Sequence, residues 1–176
     1  MSESKILFDK IIIDNIIKSV VEYDGILKNR SYVVRPLSSD DFEKGYIELL
    51  GHLTVTGDIN KTKYNERFNQ MKSQSGYFII VIEDTSTSKI IASSSLIVEM
   101  KFIHDCLNRG RVEDVVVHPD YRCQKLAFLL LKIIVKLAKQ QNCYKLTLDA
   151  RKEVHELYLK AGFALNYNDN LLEIRF

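Results

Sequence analysis

The sequence predicts an α/β (α+β) domain in which a mixed, mostly antiparallel sheet is flanked by helices. Three observations carry that prediction. The run Arg111–Val117 (RVEDVVV) is too short for a helix and too continuously apolar for a half-wet strand, and it passes through His118, Pro119 and Asp120 into an amphipathic helical stretch. Tyr77–Glu83 (YFIIVIE) and Ile90–Glu99 (IIASSSLIVE), separated by a polar turn, read as an antiparallel hairpin. The remaining apolar runs complete the order β-α-α-β-β-β-α-β-α-β-β, with one parallel crossover in an otherwise antiparallel sheet.

Each element follows from local chemistry. Ile6, Phe8, Ile12, Ile13, Ile16, Ile17 and Val20 give a loosely helical apolar face, so residues 5–23 are expected as an N-terminal helix packed on the body or on a partner. Its polar face is not distinctly basic, which argues against a membrane-surface role. Ser31–Arg35 is a short strand ended by Pro36. Asp40 with Glu43 approximates a capping arrangement for a helix over about 40–50, and the hydroxyl-rich loop Gly51–Gly57 follows. Asn60 can cap a second helix, on which Tyr64, Phe68 and Met71 recur at helical spacing.

RVEDVVV is expected at the sheet centre. Strand alternation puts Glu113 with Val115 and Val117 on one face, and Asp114 with Val112 and Val116 on the other. A helix beginning near Arg122 buries Leu126, Leu129, Leu130, Ile133 and Leu137 and turns Lys132, Lys136 and Lys139 to solvent. Tyr144–Asp149 is a further strand and Glu153–Lys160 a short helix that Gly162 can end. Phe163–Tyr167 and Leu171–Phe176 are expected as two strands around Asn168, Asp169 and Asn170.

Composition narrows the function classes. At 176 residues and 46% hydrophobic content, a single domain can bury a real core. A net charge of +2 supplies no global field, so neither nucleic acid nor membrane is an expected partner. Cys106, Cys123 and Cys143 are odd in number and form no CxxC, which argues against a disulfide framework or structural zinc. No histidine and carboxylate spacing suggests a metal site. The N-terminus shows no export segment, so the expected compartment is cytoplasmic.

A strand that feeds the N-terminus of a helix sets free N–H groups and a positive dipole end beside the sheet, which suits a phosphate or pyrophosphate. Arg122 and Lys125 add charge there. By geometry alone the unit reads first as an ordinary crossover with a solvated basic turn.

Several blocks resemble a known family. Leu157–Phe163 (LYLKAGF) resembles the (F/L)Yxx(C/A)GF signature of the GNAT superfamily of acyl-CoA-dependent N-acetyltransferases. Arg35–Leu37 (RPL), Leu53–Gly57 (LTVTG), Lys101–His104 (KFIH), Gly110–Val117 (GRVEDVVV) and Cys143–Asp149 (CYKLTLD) resemble, in order, its glucosamine-6-phosphate N-acetyltransferase family. The resemblance covers a GNAT domain of residues 31–176 and leaves 1–30 as an N-terminal helical extension. It implies the GNAT fold and transfer of acetyl from acetyl-CoA to the 2-amino group of D-glucosamine 6-phosphate, in a ternary complex, toward UDP-N-acetylglucosamine. It also implies a homodimer whose C-terminal strand crosses to the partner.

By the same resemblance Tyr158 protonates the leaving thiolate and Asp149 contacts the reacting sugar; Glu113 and Asp114 can take the ammonium proton directly or through water, or hold the sugar, and Glu113 is the preferred acceptor. Thr54, Lys101, Phe102, Ile103, His104, Asp114, Ala150 and Arg175 complete the sugar phosphate site. Acetyl-CoA is held by Val115, Val116 and Val117, with the Val115 N–H polarising the carbonyl. The loop Arg122, Cys123, Gln124, Lys125, Leu126 and Ala127 takes the pyrophosphate, with Tyr158 and Lys160 beside it. There are two departures: Lys125 replaces the inner glycine of the RxxGxG/A pattern, and Val154 stands where relatives commonly place asparagine. Read without the resemblance, Tyr158 packs on its helix, and Glu113 and Asp114 are structural acids paired with Arg111 or another cation. The competing functions are a GNAT enzyme for another amine, a polyamine or protein N-terminus, and a non-catalytic acyl-CoA-binding domain. LTVTG and KFIH weigh against the first, and Tyr158 with the EDVVV strand against the second.

Overall fold

The computed structural model, which describes residues 5–19, 24–27 and 30–166, builds one sheet from β1 (Tyr32–Pro36), β2 (Tyr77–Asp84), β3 (Lys89–Glu99), β4 (Asn108–Val117) and β5 (Cys143–Thr147), in that order. Neighbours from β1 to β4 are antiparallel, and β4 and β5 are parallel. The crossover between that pair is α6 (Leu126–Gln140). Ahead of it lie α1 (Lys10–Lys18), α2 (Asp24–Leu27), α3 (Tyr46–Gly51), α4 (Lys61–Ser73) and the single turn α5 (Ile103–Cys106); α7 (His155–Ala161) follows β5.

The sheet separates two cores. On one face α6 and α1 bury Leu129, Leu130, Ile134, Ile13 and Ile16 against Ile80 and Leu96 of the sheet. A fully buried Leu or Ile contributes about 1.5–3 kcal/mol, so this face supplies much of the fold's stability. The other core holds Leu49, Tyr64 and Phe68 of α3 and α4 over Ile79 and Val81. Asp9 caps α1 by accepting from Ile11 N at 2.9 Å, and Asn60 caps α4 by accepting from Lys63 N at 3.0 Å.

Several sequence expectations are corrected. The helix expected over 40–50 is split into a 3-10 turn, Ser39–Phe42, and α3, with Gly45 at φ 81° between them. Its cap is Ser38 with Asp41, not Asp40 with Glu43, because Asp41 is turned inward to Arg35. The crossover helix starts at Leu126, not near Arg122, since Cys123 and Lys125 adopt left-handed φ of 61° and 62° that a helix cannot include. Among the described residues β3, with β4 beside it, is the middle strand of five. β5 ends at Thr147, which leaves Asp149 in a loop. The N-terminal helix is confined to Lys10–Lys18 among the described residues.

Residues 163–166, expected as the start of a strand, run outside any ladder among the described residues, beyond the left-handed cap Gly162. Tyr167, the final strand at 171–176 and Arg175 lie outside the described residues.

A charged cluster ties the start of the α3 region to the sheet. The Arg35 guanidinium donates to Asp41 Oδ1 and Oδ2 at 2.7 and 2.8 Å and to Glu83 Oε2 at 2.6 and 2.9 Å, while Lys44 Nζ meets Glu83 Oε1 at 2.6 Å. Asp41 is wholly inaccessible to solvent. Its Oδ2 also accepts from Ser38 N at 2.8 Å.

Candidate active site

The site begins with an irregularity in β4. Ser95 pairs with Glu113 and Ser93 with Val116, so Asp114 and Val115 together face the single residue Ser94. This is a β-bulge, and Asp114 carries its left-handed turn at φ 52°. The extra residue reverses the strand's phase. Val112 packs in the α6 core, whereas Val116 packs in the α3–α4 core. The expected sharing of one acid per face is therefore wrong: Glu113 lies opposite Val112, and Asp114 borders a cavity with Tyr46 and Ile79 on the same α3–α4 side.

The second feature is a ladder that stops early. β4 and β5 are paired only from Asn108 and Cys143 to Arg111 and Thr147, although β4 continues to Val117. Beyond that point the strands are open to each other. His118 N donates to Ile91 O at 2.9 Å on the β3 side, and alternation turns the N–H groups of Val117 and Val115 the other way, into the opening.

A cavity of about 1170 Å³ fills the gap. It gathers Val115, Val116 and Val117 from β4; Arg122, Cys123, Lys125, Leu126 and Ala127 from the loop and first turn of α6; Asp149 and Ala150 after β5; and Tyr158 and Lys160 from α7. The His155 ring has its Nε2 3.1 Å from Ala150 O and so ties α7 to this wall. Free N–H groups at the start of α6 and two cationic side chains make the loop end of the cavity suited to an anion.

Tyr158 is half-buried, with its ring edge-on to Phe163 at 6.1 Å, and burial pushes its phenol pKa up. Asp114 keeps solvent access, but its partial burial beside the α3–α4 cavity, together with the charge of Glu113, raises its carboxyl pKa. Arg111 joins Glu113 to Asp149 through its Nε and Nη2, and those two carboxylates hold its pKa up. Behind Asp114 a smaller cavity of about 490 Å³ lies between α3, α4 and the sheet. Its Tyr46 phenol is raised chiefly by burial.

Other expected site residues are not brought to the large cavity. Lys101 pairs with Glu99, His104 stacks on Tyr144 at 4.0 Å, and Phe102 is 95% exposed with Ile103 beside it. Thr54 lies in the exposed loop after α3. Gln124 points away from the cavity, toward Arg30 and Tyr32. Conversely, the cavity includes His52, Tyr121 and Arg151, which no motif marked, and Leu53, which opens the LTVTG block but was given no role there. His52 meets His118 edge-on at 4.9 Å, a contact between distant loops that no local spacing reveals. Among the described residues, no group of three or more His, Cys, Asp or Glu side chains could hold a metal ion, and no helix is long and apolar enough to cross a membrane.

Residues 40–163 match the model of the Acetyltransferase (GNAT) family. A protein of Dictyostelium discoideum, glucosamine 6-phosphate N-acetyltransferase 1, is 43% identical over 130 residues, 73% of this chain and 82% of the relative. The probable glucosamine 6-phosphate N-acetyltransferase of Drosophila melanogaster is 42% identical over 144 residues, 81% of this chain but only 66% of the longer fly protein. The crystal structure of glucosamine-6-phosphate N-acetyltransferase from Arabidopsis thaliana superposes with a TM-score of 0.77 at 34% identity, over 82% of this chain and 97% of that one.

Proposed function

Because the chain belongs to the GNAT acetyltransferase family, we propose that it transfers acetyl from acetyl-CoA to the 2-amino group of D-glucosamine 6-phosphate, a step toward UDP-N-acetylglucosamine. The observation that carries the reaction type is the open end of the β4–β5 pair, with strand donors on one wall and Tyr158 on the other. The substrate rests on the relatives at 42% and 43% identity.

The amine nitrogen attacks the thioester carbonyl, whose oxygen takes the N–H of Val115 as charge builds on it. The C–S bond breaks, and the thiolate receives the Tyr158 proton, which the raised phenol pKa keeps in place at neutral pH; the second proton that the attacking nitrogen sheds as the amide forms restores the phenol. Arg122, Lys125 and the N–H groups opening α6 receive the pyrophosphate. Glu113, Asp149 and the Arg111 between them position the sugar. Thr54 and Arg175 serve the phosphate. Lys101, Phe102, Ile103 and His104 lie outside this chain's cavity, and this supports a homodimer in which they complete the partner's site. Three free cysteines fit a cytoplasmic setting.

Asp114 is the proposed acceptor of the ammonium proton, in preference to Glu113. Glu113 is engaged by Arg111, while Asp114 has a raised pKa and no ion pair among the described residues. A base works deprotonated, so kcat/KM falls as pH drops through the raised Asp114 pKa. Asp114→Asn is expected to remove that acidic limb and lower kcat by about 10²-fold or more. A limb abolished by Glu113→Gln instead would assign the proton to Glu113.

The function itself is tested by thiol release from acetyl-CoA with glucosamine 6-phosphate, glucosamine, spermidine and a peptide amine side by side. Turnover is expected with the phosphorylated sugar alone. Turnover on another amine would overturn the substrate, and cofactor binding without any turnover would overturn the enzyme reading.

A further inference from the structure

The loop that enters α6 is held in a shape its own residues do not favour. Cys123 and Lys125 both sit in the left-handed region, at φ 61° and 62°, which side chains other than glycine, Asn and Asp rarely adopt. Lys125 makes no capping bond at the helix start, and Cys123 is exposed, so packing within the loop does not account for the shape.

The residue between them is anchored from outside. Gln124 Oε1 accepts from Arg30 Nη1 at 2.5 Å and from Tyr32 OH at 2.9 Å. Arg30 lies over the Tyr32 ring at 5.6 Å, and that ring meets Tyr121 edge-on at 6.1 Å. Tyr121, three residues before Gln124, in turn donates to Asp84 Oδ2 at 3.0 Å. The loop is thus fastened at Tyr121 and Gln124, and the second fastening falls between the two left-handed residues. Neither Arg30 nor Tyr32 borders the large cavity.

We propose that Arg30 and Tyr32 are positioning residues for acetyl-CoA: by holding Gln124 they keep the phosphate-receiving loop in its doubly left-handed shape, half of which a glycine at position 125 would adopt without strain. The inference rests on the acetyl-CoA reading of the cavity. Without the clamp the loop relaxes to ordinary backbone angles, and the cofactor must restore the shape as it binds. Apparent affinity then falls by the fraction of molecules still competent.

The test compares the parent chain with Arg30→Ala/Tyr32→Phe, each with Lys125 and with Lys125→Gly. In the Lys125 background the double substitution is expected to raise the acetyl-CoA dissociation constant, measured by calorimetry, about tenfold. Turnover at saturating acetyl-CoA and KM for glucosamine 6-phosphate stay as in the parent. Amide exchange at residues 122–126 quickens in the cofactor-free protein. In the Lys125→Gly background the same pair raises the dissociation constant by a smaller factor, about threefold, because glycine adopts the left-handed angle without strain and only Cys123 still needs the clamp. An unchanged dissociation constant, an equal penalty in both backgrounds, or unaltered amide exchange each overturns the clamp. A parent that binds no acetyl-CoA overturns the cofactor reading and the inference together, whereas a parent and variant that bind equally overturn the inference alone.

Discussion

Tyr158→Phe is expected to lower kcat by about 10²–10⁴-fold, the range for loss of a positioned acid, with little change in the acetyl-CoA dissociation constant. The substitution removes one oxygen and leaves the ring, which packs against the α6 core and edge-on to Phe163. The fold therefore loses little. What is lost is a proton held where the C–S bond breaks, on a phenol whose pKa burial raises. Steady-state turnover with calorimetry on the same variant separates the two effects. Turnover equal to the parent's would remove Tyr158 from the chemistry, and a matching loss of cofactor affinity would make its role one of packing.

Arg35→Ala is expected to destabilise the fold by about 3–5 kcal/mol, the cost of leaving a buried charge without its partner. Asp41 is inaccessible to water, and Arg35 meets both its oxygens. Glu83 is also desolvated, but its bonds to Lys44 and Arg35 outweigh that burial and hold its carboxyl below the usual range. A depressed carboxylate stabilises the fold above its unfolded pKa, and that contribution is lost as pH falls through the folded one. Urea unfolding should therefore show the largest gap between parent and variant at neutral pH, and a gap that narrows in acid. A gap constant with pH would mean the cluster contributes through shape alone.

Much of the fold was legible because local pattern and tertiary demand agree there. The hairpin of β2 and β3, the run of α6 and the cap at Asn60 need nothing beyond alternation, helical spacing and a side chain that accepts from N3. Where the sequence reading failed, the deciding partner is remote. Ser38 and Asp41 take the cap from Asp40 and Glu43 because Arg35 draws Asp41 inward, and nothing between residues 38 and 43 announces that. The bulge at Asp114 is invisible in EDVVV, since a bulge is a miscount between two strands and Ser93–Ser95 supply the other half of the count. The candidate site divides the same way. The residues of the strand, loop and α7 motifs converge on one cavity, whereas His52 and the Arg30–Gln124 contact join segments far apart in the chain.

The bulge also gives β4 two mechanical addresses. Val112 and Val116 are the same residue type, four positions apart on one strand, and an unbroken strand would place them side by side in one core. Here Val112 answers to α6 and Val116 to α3 and α4. Trimming either to alanine opens space in a different core, so the two losses share no neighbours and should simply add. A single inserted residue thus lets one strand carry variation on one side of the sheet without disturbing the packing on the other.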